Sequence, residues 1–349
     1  MHGDLLNTLV FGVLPIASTH SLCAHEARNC IASQSRKIFR FILASLILLF
    51  ACSCTHKELC YDHSHTRNIE VVFDWCKCPD AEPKSMSLYL FPEDGGRPVR
   101  HEFVNKDGGK IRVVTGRYKA VCLNSDTRNI TIQDEHDYRN FCISTKDAYS
   151  VSGLGTSGVN VRSLPTARGS EDERWVSLPE KVWSGSHDDI HIVEHGQVIT
   201  LVPEANVRNY TLEIRNASNL RWINGMSASI SSMAGGHQPS CKNSSEELVT
   251  IPIETRYDIN TGIVSGGFTS FGHCPYEDAV HQLVIYTVLA DDSQWYYTYD
   301  VTEQIHDAAD PFNIHIVLDG LPLPKPVVNG GGFKPTVGEW KEIEIKITM

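Results

Sequence analysis

Short runs of strand-forming residues, separated by turn residues, follow one another along most of this sequence. The clearest run is Ser85–Phe91, in which Met86, Leu88 and Leu90 would fall on one face of a strand. No segment shows the apolar spacing of a long amphipathic helix. Many short strands with turn signals between them are typical of β-sandwiches, so the sequence predicts an all-β fold.

The strand-like runs form two sets, which predicts two domains. The first set ends at Pro203, and a second set begins within the next few residues. We therefore expect one β-sandwich over residues 67–204 and another over residues 205–349. Residues 146–174 are rich in Gly, Ser and Arg and are predicted to form a long loop. The last run, Trp340–Thr348, alternates cleanly and is expected to be an integral strand of the second sandwich.

A targeting signal precedes the strand-like runs. The basic segment Arg36–Arg40 comes before the eleven-residue apolar run Phe41–Ala51, and cysteines follow at Cys52 and Cys54. This order is that of a secretory signal peptide, and the apolar run is too short to span a bilayer. Cleavage just before a cysteine marks the lipoprotein variant of the signal. We therefore expect residues 1–51 to be a signal peptide region and the next cysteine to carry acyl chains such as palmitate.

Two alternatives for the lipidated cysteine stay open. Leu49–Cys52 is the better lipobox, and Ala51–Cys54 is a second register that is nearly as good. The polar residues 52–66 would then form a lipidated tether between membrane and fold, and two or three acyl chains suffice for stable anchoring. The residue after the lipid is Ser53 or Thr55 rather than Asp. By resemblance to other bacterial lipoproteins, this permits sorting to the outer membrane, where we expect a surface-exposed, lipid-anchored protein.

Charge and cysteine content limit the partners. The chain has 31 Lys and Arg residues and 42 Asp and Glu residues, which gives a net charge of -11. An acidic body repels phosphate backbones, so no nucleic acid is expected as a partner. The eleven cysteines permit disulfides in an exported protein, but their spacings specify no pairing. The pair Cys76 and Cys78 lacks the second close pair that a zinc site would need.

No sequence motif for catalysis or for a cofactor is convincing. Gly153–Gly158 has the G-x-G-x-x-G spacing of dinucleotide-binding folds. The following Val159–Pro165 is a poor start for the helix that must hold the pyrophosphate. The G-x-S-x-G and H-E-x-x-H motifs are absent from the sequence. We therefore predict no cofactor, no catalytic residue and no enzymatic activity.

Three histidines recur at intervals of four residues: His187, His191 and His195. This spacing could place them on one side of a strand or a helix, and imidazole is a common ligand of transition metals. The acidic neighbours and Gly196 instead suit the exposed face of a hairpin that turns at His195 and Gly196. We therefore predict that these histidines are solvated and that the chain holds no metal.

Several motifs, taken in their order along the chain, carry a family resemblance. The motifs are Val71–Trp75, Ser85–Gly96 and Gly116–Thr127 in the first half, and Gly266–Gly272, Tyr299–Thr302 and Gly330–Trp340 in the second half. In this order they resemble the fimbrillin superfamily of Bacteroidales, and within it the lipoprotein branch that is related to minor and anchor-type fimbrial subunits.

The resemblance implies a fold and a role. It implies two transthyretin-like sandwich domains in tandem, and a surface function in fimbria anchoring, assembly or cell adhesion with other fimbrial subunits as partners. It favours Cys54 as the lipid site, whereas the lipobox favours Cys52. Such fimbriae polymerise by donating a strand to an open sheet edge. Because Trp340–Thr348 is expected inside the second sandwich, we expect an anchor or terminator rather than a repeating stalk subunit.

A second function stays open as the alternative. Exposed aromatic side chains could form a glycan platform, which would make the protein a surface glycan-binding lipoprotein of the polysaccharide-utilisation type. Most of the candidate tryptophans are expected in the core, because they lie in or beside apolar strand-like runs. The candidates are Trp75, Trp183, Trp222, Trp295 and Trp340.

Overall fold

The computed structural model describes residues 65–154, 158–274, 278–326 and 339–344. The predicted signal region and both candidate lipid sites, Cys52 and Cys54, lie outside these ranges. Nearly all regular structure in the described part is β-strand, which confirms the all-β class. The domain boundary near residue 204 stays a prediction, because residues from 64 on group as one compact unit.

The first half of the body contains thirteen described strands and a 3-10 turn at Val161–Ser163. The strands are β1 (Thr66–Phe73), β2 (Met86–Pro92), β3 (Val99–Phe103), β4 (Gly108–Val114), β5 (Gly116–Asn124), β6 (Ile130–Gln133), β7 (Cys142–Thr145), β8 (Ser150–Val151), β9 (Val159–Asn160), β10 (Arg174–Trp175), β11 (Trp183–Ile192), β12 (Val198–Leu201) and β13 (Glu204–Ala205).

The second half contains ten described strands, a 3-10 turn at Leu220–Trp222 and the short helix α1 (Thr302–His306). The strands are β14 (Arg208–Ser218), β15 (Ile223–Ala234), β16 (Gly236–Gln238), β17 (Asn243–Ser244), β18 (Leu248–Asp258), β19 (Ile263–Ser270), β20 (Gln282–Leu289), β21 (Gln294–Asp300), β22 (Asn313–Pro322) and β23 (Trp340–Glu344).

A five-stranded sheet of order β13-β11-β5-β2-β3 lies at the centre of the first half. One of its faces packs on a three-stranded sheet of order β12-β1-β4, and Met86, Leu88 and Leu90 are fully buried in this core. The predicted alternation of β2 is therefore confirmed. The opposite face, with Tyr89 and Phe91, packs on a four-stranded sheet of order β17-β16-β7-β6. Because both faces are covered, β2 is buried along almost its whole length.

One large sheet forms the second half and curls around its own core. Its order is β22-β14-β19-β18-β15-β20-β21-β23, and β10 also pairs with β18. Strands from both ends of this order contribute to a single apolar cluster, for example Ile316 of β22 and Tyr297 of β21. The sheet therefore buries its inner face against itself rather than against a second sheet.

Residues 146–174 differ from the long loop that their composition predicts. Most of the segment is irregular, but it includes β8 and β9 and supplies buried Val151, Leu154 and Leu164. These side chains pack on Val284 and Tyr286, which point outward from β20. The composition of the segment predicted its lack of regular structure. It did not predict that the segment packs on β20, because its apolar residues are not spaced with the period of a strand or a helix.

Strands of the two halves also pair with each other. Strand β10 of the first half pairs in parallel with β18, and β16 of the second half pairs with β7. Arg174 strengthens the first junction, because its Nε lies 2.8 Å from Oε1 of Glu247 and its Nη1 lies 2.8 Å from Oδ1 of Asp147. The halves are therefore joined by backbone pairing as well as by the chain itself.

Candidate functional site

The outer edge of β22 is the longest strand edge in the described part of the chain. The ten-residue strand pairs in parallel with β14 on its inner side, and no described strand pairs with its outer side. Gln304 of α1 occupies the middle of that outer edge. Its Nε2 donates to the carbonyl oxygen of Val317 at 3.0 Å, and its Oε1 accepts from the Val317 N–H at 2.8 Å. One side-chain amide thus imitates a strand partner at a single residue, and protects an edge that could otherwise pair with another chain.

A cavity of about 630 Å³ lies where the chain passes from the first half to the second. Its wall carries Lys77, Glu204, Arg208 and Lys242. Oε1 of Glu204 lies 2.6 Å from Nζ of Lys77 and 3.2 Å from Nζ of Lys242, and the hydrogen bond from Lys77 is the main cause of the lowered pKa of Glu204. Within the described part, Arg208 makes no ion pair with a carboxylate. The excess of positive charge suits an acidic or strongly polar group.

Buried polar atoms line the same cavity. Ser184 Oγ and Asn206 Oδ1 have no hydrogen-bond partner among the described residues, and such atoms are costly to bury unpaired. His237 also lines the wall; burial, together with the nearby Arg208, lowers the pKa of this histidine to about 4. A neutral imidazole ring beside unpaired polar atoms can both donate a hydrogen bond to a polar ligand and accept one from it.

Three histidines meet at one end of the curled sheet: His273, His281 and His306. They come from the segment after β19, the residue before β20 and the last residue of α1. One ring nitrogen of each lies within 4.8 Å of one from each of the others, and the Nε2 atoms of His281 and His306 are 3.0 Å apart. Burial lowers the pKa of His273, and it lowers the pKa of His281 to about 4. Neutral imidazole is the form that binds metals.

The histidines that sequence spacing singled out are not the ones that the fold brings together. His187 and His191 are exposed on β11, and His195 is exposed in the turn after it. The predicted turn at His195 and Gly196 is confirmed, but the predicted hairpin is wrong. Strand β11 pairs with β5, whereas β12 pairs in parallel with β1, so the turn carries the chain from one sheet to another.

The glycine-rich segment has a structural explanation at its first residue. Gly153 has a φ of +87°, and a Cβ at this position would lie 2.3 Å from the carbonyl oxygen of Met226. Its own carbonyl accepts from the Met226 N–H at 2.8 Å. After the motif come the two-residue strand β9 and a single 3-10 turn, rather than the helix that binds a pyrophosphate. Gly153 is therefore required by backbone packing.

The cysteine pair lies in a turn after β1, because the N–H of Cys78 donates to the carbonyl oxygen of Trp75 at 2.9 Å. Cys76 and Cys78 are therefore not part of a strand. Burial raises the pKa of the Cys122 thiol to about 12 and that of Cys142 to about 11, so both stay protonated. All described cysteines are free thiols.

The five tryptophans considered for a glycan platform are all partly buried. The rings of Trp75 and Trp183 meet edge to face with centroids 6.2 Å apart, and Trp75 Nε1 donates to the Lys106 carbonyl oxygen at 2.8 Å. Trp340 meets Tyr286 in the same manner at 5.6 Å. These rings are engaged by the protein itself, so the structure gives no specific support to glycan binding.

The fold defines an all-β class of protein built from packed and curled sheets. Residues 53–254 match a family model described as "Domain of unknown function (DUF5119)". Because the match spans more than half of the chain, the protein belongs to the DUF5119 family. None of the helices in the described part is both long and apolar enough to cross a membrane.

A curated relative and two solved structures are similar to this chain. The relative is the "Putative fimbrium anchoring subunit Fim4B" of Bacteroides ovatus, which is 25% identical over 58% of this chain and 55% of its own length. The alignment thus spans about half of that protein. A "putative adhesin" structure from Bacteroides ovatus is 20% identical, with a TM-score of 0.58 over 78% of this chain and 99% of the other. The fimbrial anchor protein Mfa2 from Porphyromonas gingivalis is 12% identical, with a TM-score of 0.46 over 73% and 90% of the two chains.

Proposed function

We propose that this protein is a surface lipoprotein that anchors a fimbrium to the outer membrane, with a part in fimbria assembly or cell adhesion. The observation that carries the proposal is the 25% sequence identity to the Bacteroides ovatus protein that is named as a putative fimbrium anchoring subunit. The motif order that resembles anchor-type fimbrillins supports the same role. This role is structural: it needs a membrane attachment and a docking surface, and no catalytic residue.

The membrane attachment is a lipid on Cys52 or Cys54. The basic flank, the apolar run and the cysteines occur in the order that a lipoprotein signal requires. Two or three acyl chains on one cysteine hold a protein stably at a membrane, whereas a single chain does not.

The docking surface is the outer edge of β22. Addition of an extended segment to a sheet edge supplies backbone hydrogen bonds without a preformed pocket. Strand β22 is longer than every other edge strand in the described part of the chain, and Gln304 covers it only at Val317. A neighbouring subunit that replaces this one amide would gain backbone hydrogen bonds in the part of β22 before Gly320, whose own carbonyl oxygen already accepts from Tyr299 Oη at 2.9 Å.

The first test is fimbria retention in cells that carry lipid-site variants. Replacing both Cys52 and Cys54 by Ala should release the protein from membranes, and should shift fimbriae from cells to the medium. The two single variants identify the modified cysteine by mass spectrometry of the mature N-terminus. Exposed Cys241, replaced by Ala, is the matched control. Fimbriae that stay attached to cells lacking both cysteines would refute the anchoring role.

The second test locates the docked subunit. A photo-crosslinking residue in place of exposed His315 on β22 should capture another fimbrial subunit in intact cells. The same residue in place of exposed Tyr257 on β18 is the control, and should capture much less. Equal capture at the two positions would contradict docking at the β22 edge.

A further inference from the structure

We propose that His273, His281 and His306 form a binding site for a divalent transition-metal ion, with Zn²⁺ as the best fit. Three imidazoles from three separate elements converge within 4.8 Å. A hydrogen bond between two rings would explain why His281 and His306 lie close together, with their Nε2 atoms 3.0 Å apart. It would not explain the position of His273, whose ring centroid lies 4.8 Å from that of His306 and 6.0 Å from that of His281.

The hydrogen bonds behind two of the rings leave one nitrogen of each ring free to bind a metal. His281 Nδ1 lies 3.4 Å from the carbonyl oxygen of Ser231, and His273 Nδ1 lies 3.1 Å from that of Cys274. A carbonyl oxygen only accepts, so each Nδ1 must carry the proton and each Nε2 must carry the lone pair. Metal-binding histidines in proteins are oriented by the same kind of bond from the other ring nitrogen to a carbonyl or carboxylate.

The spacing of the nitrogens is close to that of a bound zinc ion. Two nitrogens at about 2.0–2.1 Å from a tetrahedral zinc ion lie about 3.3 Å apart. The closest pair here is 3.0 Å apart, and the widest is within 4.8 Å. Side-chain rotations that move the ring nitrogens of the partly exposed His273 and His306 by up to about 1.5 Å would complete the geometry. Three histidines leave a fourth position for water.

The central ligand is held in place by the backbone around it. His281 is fully buried, its N–H donates to Thr302 Oγ1 at 2.9 Å, and its carbonyl accepts from the Val301 N–H at 2.9 Å. These two bonds tie the start of β20 to the start of α1. A metal ion would add a third tie through His306 at the other end of α1, and would hold Gln304 against Val317.

Metal titration of the full mature chain tests the site. The chain is stripped with EDTA, dialysed and titrated with Zn²⁺ and with Co²⁺, whose visible spectrum reports four-coordinate geometry. We expect one metal ion per chain and a rise in melting temperature. Replacing His281 or His306 by Gln should weaken binding more than about 100-fold, since even residues that only orient a ligand matter by about 10–100-fold. Replacing the exposed His187 by Gln should leave binding unchanged.

Each other outcome counts against the proposal. Absence of a four-coordinate cobalt spectrum, or zinc binding only at millimolar concentration, would overturn it. Binding that survives the His306 substitution would assign the metal to other histidines and would also overturn it. If the His281 variant fails to fold, the His306 variant decides, because His306 is partly exposed at the end of a short helix. A positive or negative result is independent of whether the protein anchors fimbriae.

Discussion

The five-stranded sheet of the first half and strand β20 of the second half are both buried on two faces, but the covers differ. Sheets cover both faces of the five-stranded sheet. Strand β20 faces the curled core with Leu283 and Ile285, and its outward Val284 and Tyr286 are covered by irregular residues from 146–174. Burial on two faces therefore does not require a stack of sheets.

The two covers depend on different interactions. The four-stranded cover sheet has a ladder of backbone hydrogen bonds as well as aromatic packing, such as Phe141 against Tyr89 at 5.0 Å. The irregular cover is attached mainly by individual hydrogen bonds, such as the bond from Tyr286 Oη to the Pro165 carbonyl oxygen at 2.7 Å. We expect the irregular cover to open at lower free energy, because most of it lacks a ladder of backbone hydrogen bonds.

The largest expected effect compares one buried aliphatic residue from each cover. Replacing Ile143 of β7 by Ala should lower the free energy of unfolding by about 3–5 kcal/mol, and replacing Leu164 by Ala should lower it by about 2–3 kcal/mol. Both side chains are buried, at 0% and 6% exposure, but an irregular segment can collapse into the space more easily than a sheet. Urea denaturation measures both values. A cost for Leu164 that equals or exceeds that for Ile143 would break the comparison.

The second effect concerns the acid that fastens the irregular cover. The Glu173 carboxylate accepts from the Ser232 N–H at 2.9 Å and from Thr250 Oγ1 at 2.7 Å. Replacing Glu173 by Ala leaves these buried donors unpaired, and should cost about 1–3 kcal/mol of stability. Hydrogen exchange should also speed up in residues 146–174. Replacing the exposed neighbour Asp172 by Ala should change neither the stability nor the rate of hydrogen exchange. If the two variants have equal effects, the hydrogen bonds to Glu173 do not hold the irregular cover in place.

The third effect is a pH dependence of the sheet cover. Burial lowers the pKa of His237 on β16 to about 4, from 6.5. The unfolded chain therefore takes up this proton first, so stability falls as pH drops from 6.5 to about 4 and is not lost further below that. Replacing His237 by Gln should reduce this slope in EDTA, and the remainder belongs to other groups whose pKa burial lowers, such as His281 and His273. Replacing exposed His187 by Gln should not; an unchanged slope for the His237 variant would argue against a buried neutral ring.

The smallest effect is expected at the ion pairs on the cavity wall. Lys77 and Lys242 both contact Glu204, and their side chains are 51% and 63% exposed. Exposed ion pairs contribute little and are screened by salt. Replacing Lys77 by Ala should shift the urea midpoint less than any substitution above, at low and at high salt. A shift comparable to that of the Glu173 variant would mean that the cavity wall joins the two halves more firmly than the covers do.

The local sequence pattern was sufficient to predict most of the strands, but it predicted little of the order in which they pair. The run Ser85–Phe91 became β2, because alternation and β-branched or aromatic content are properties of neighbouring residues. The partners of these strands depend on residues far away in sequence. The turn at His195 and Gly196 shows the limit, since its residues predict a turn but not that the next strand joins another sheet.

The sequence by itself determined the all-β class and the faces of the clearest strands, because each depends on residues within a few positions of one another. The lipoprotein signal stays a prediction from the same kind of local pattern. Only the tertiary structure decided which histidines meet. His273, His281 and His306 converge through the curl of the sheet and the position of α1, whereas the evenly spaced His187, His191 and His195 remain exposed. Convergence of distant side chains depends on strand order and register, and no local spacing encodes these.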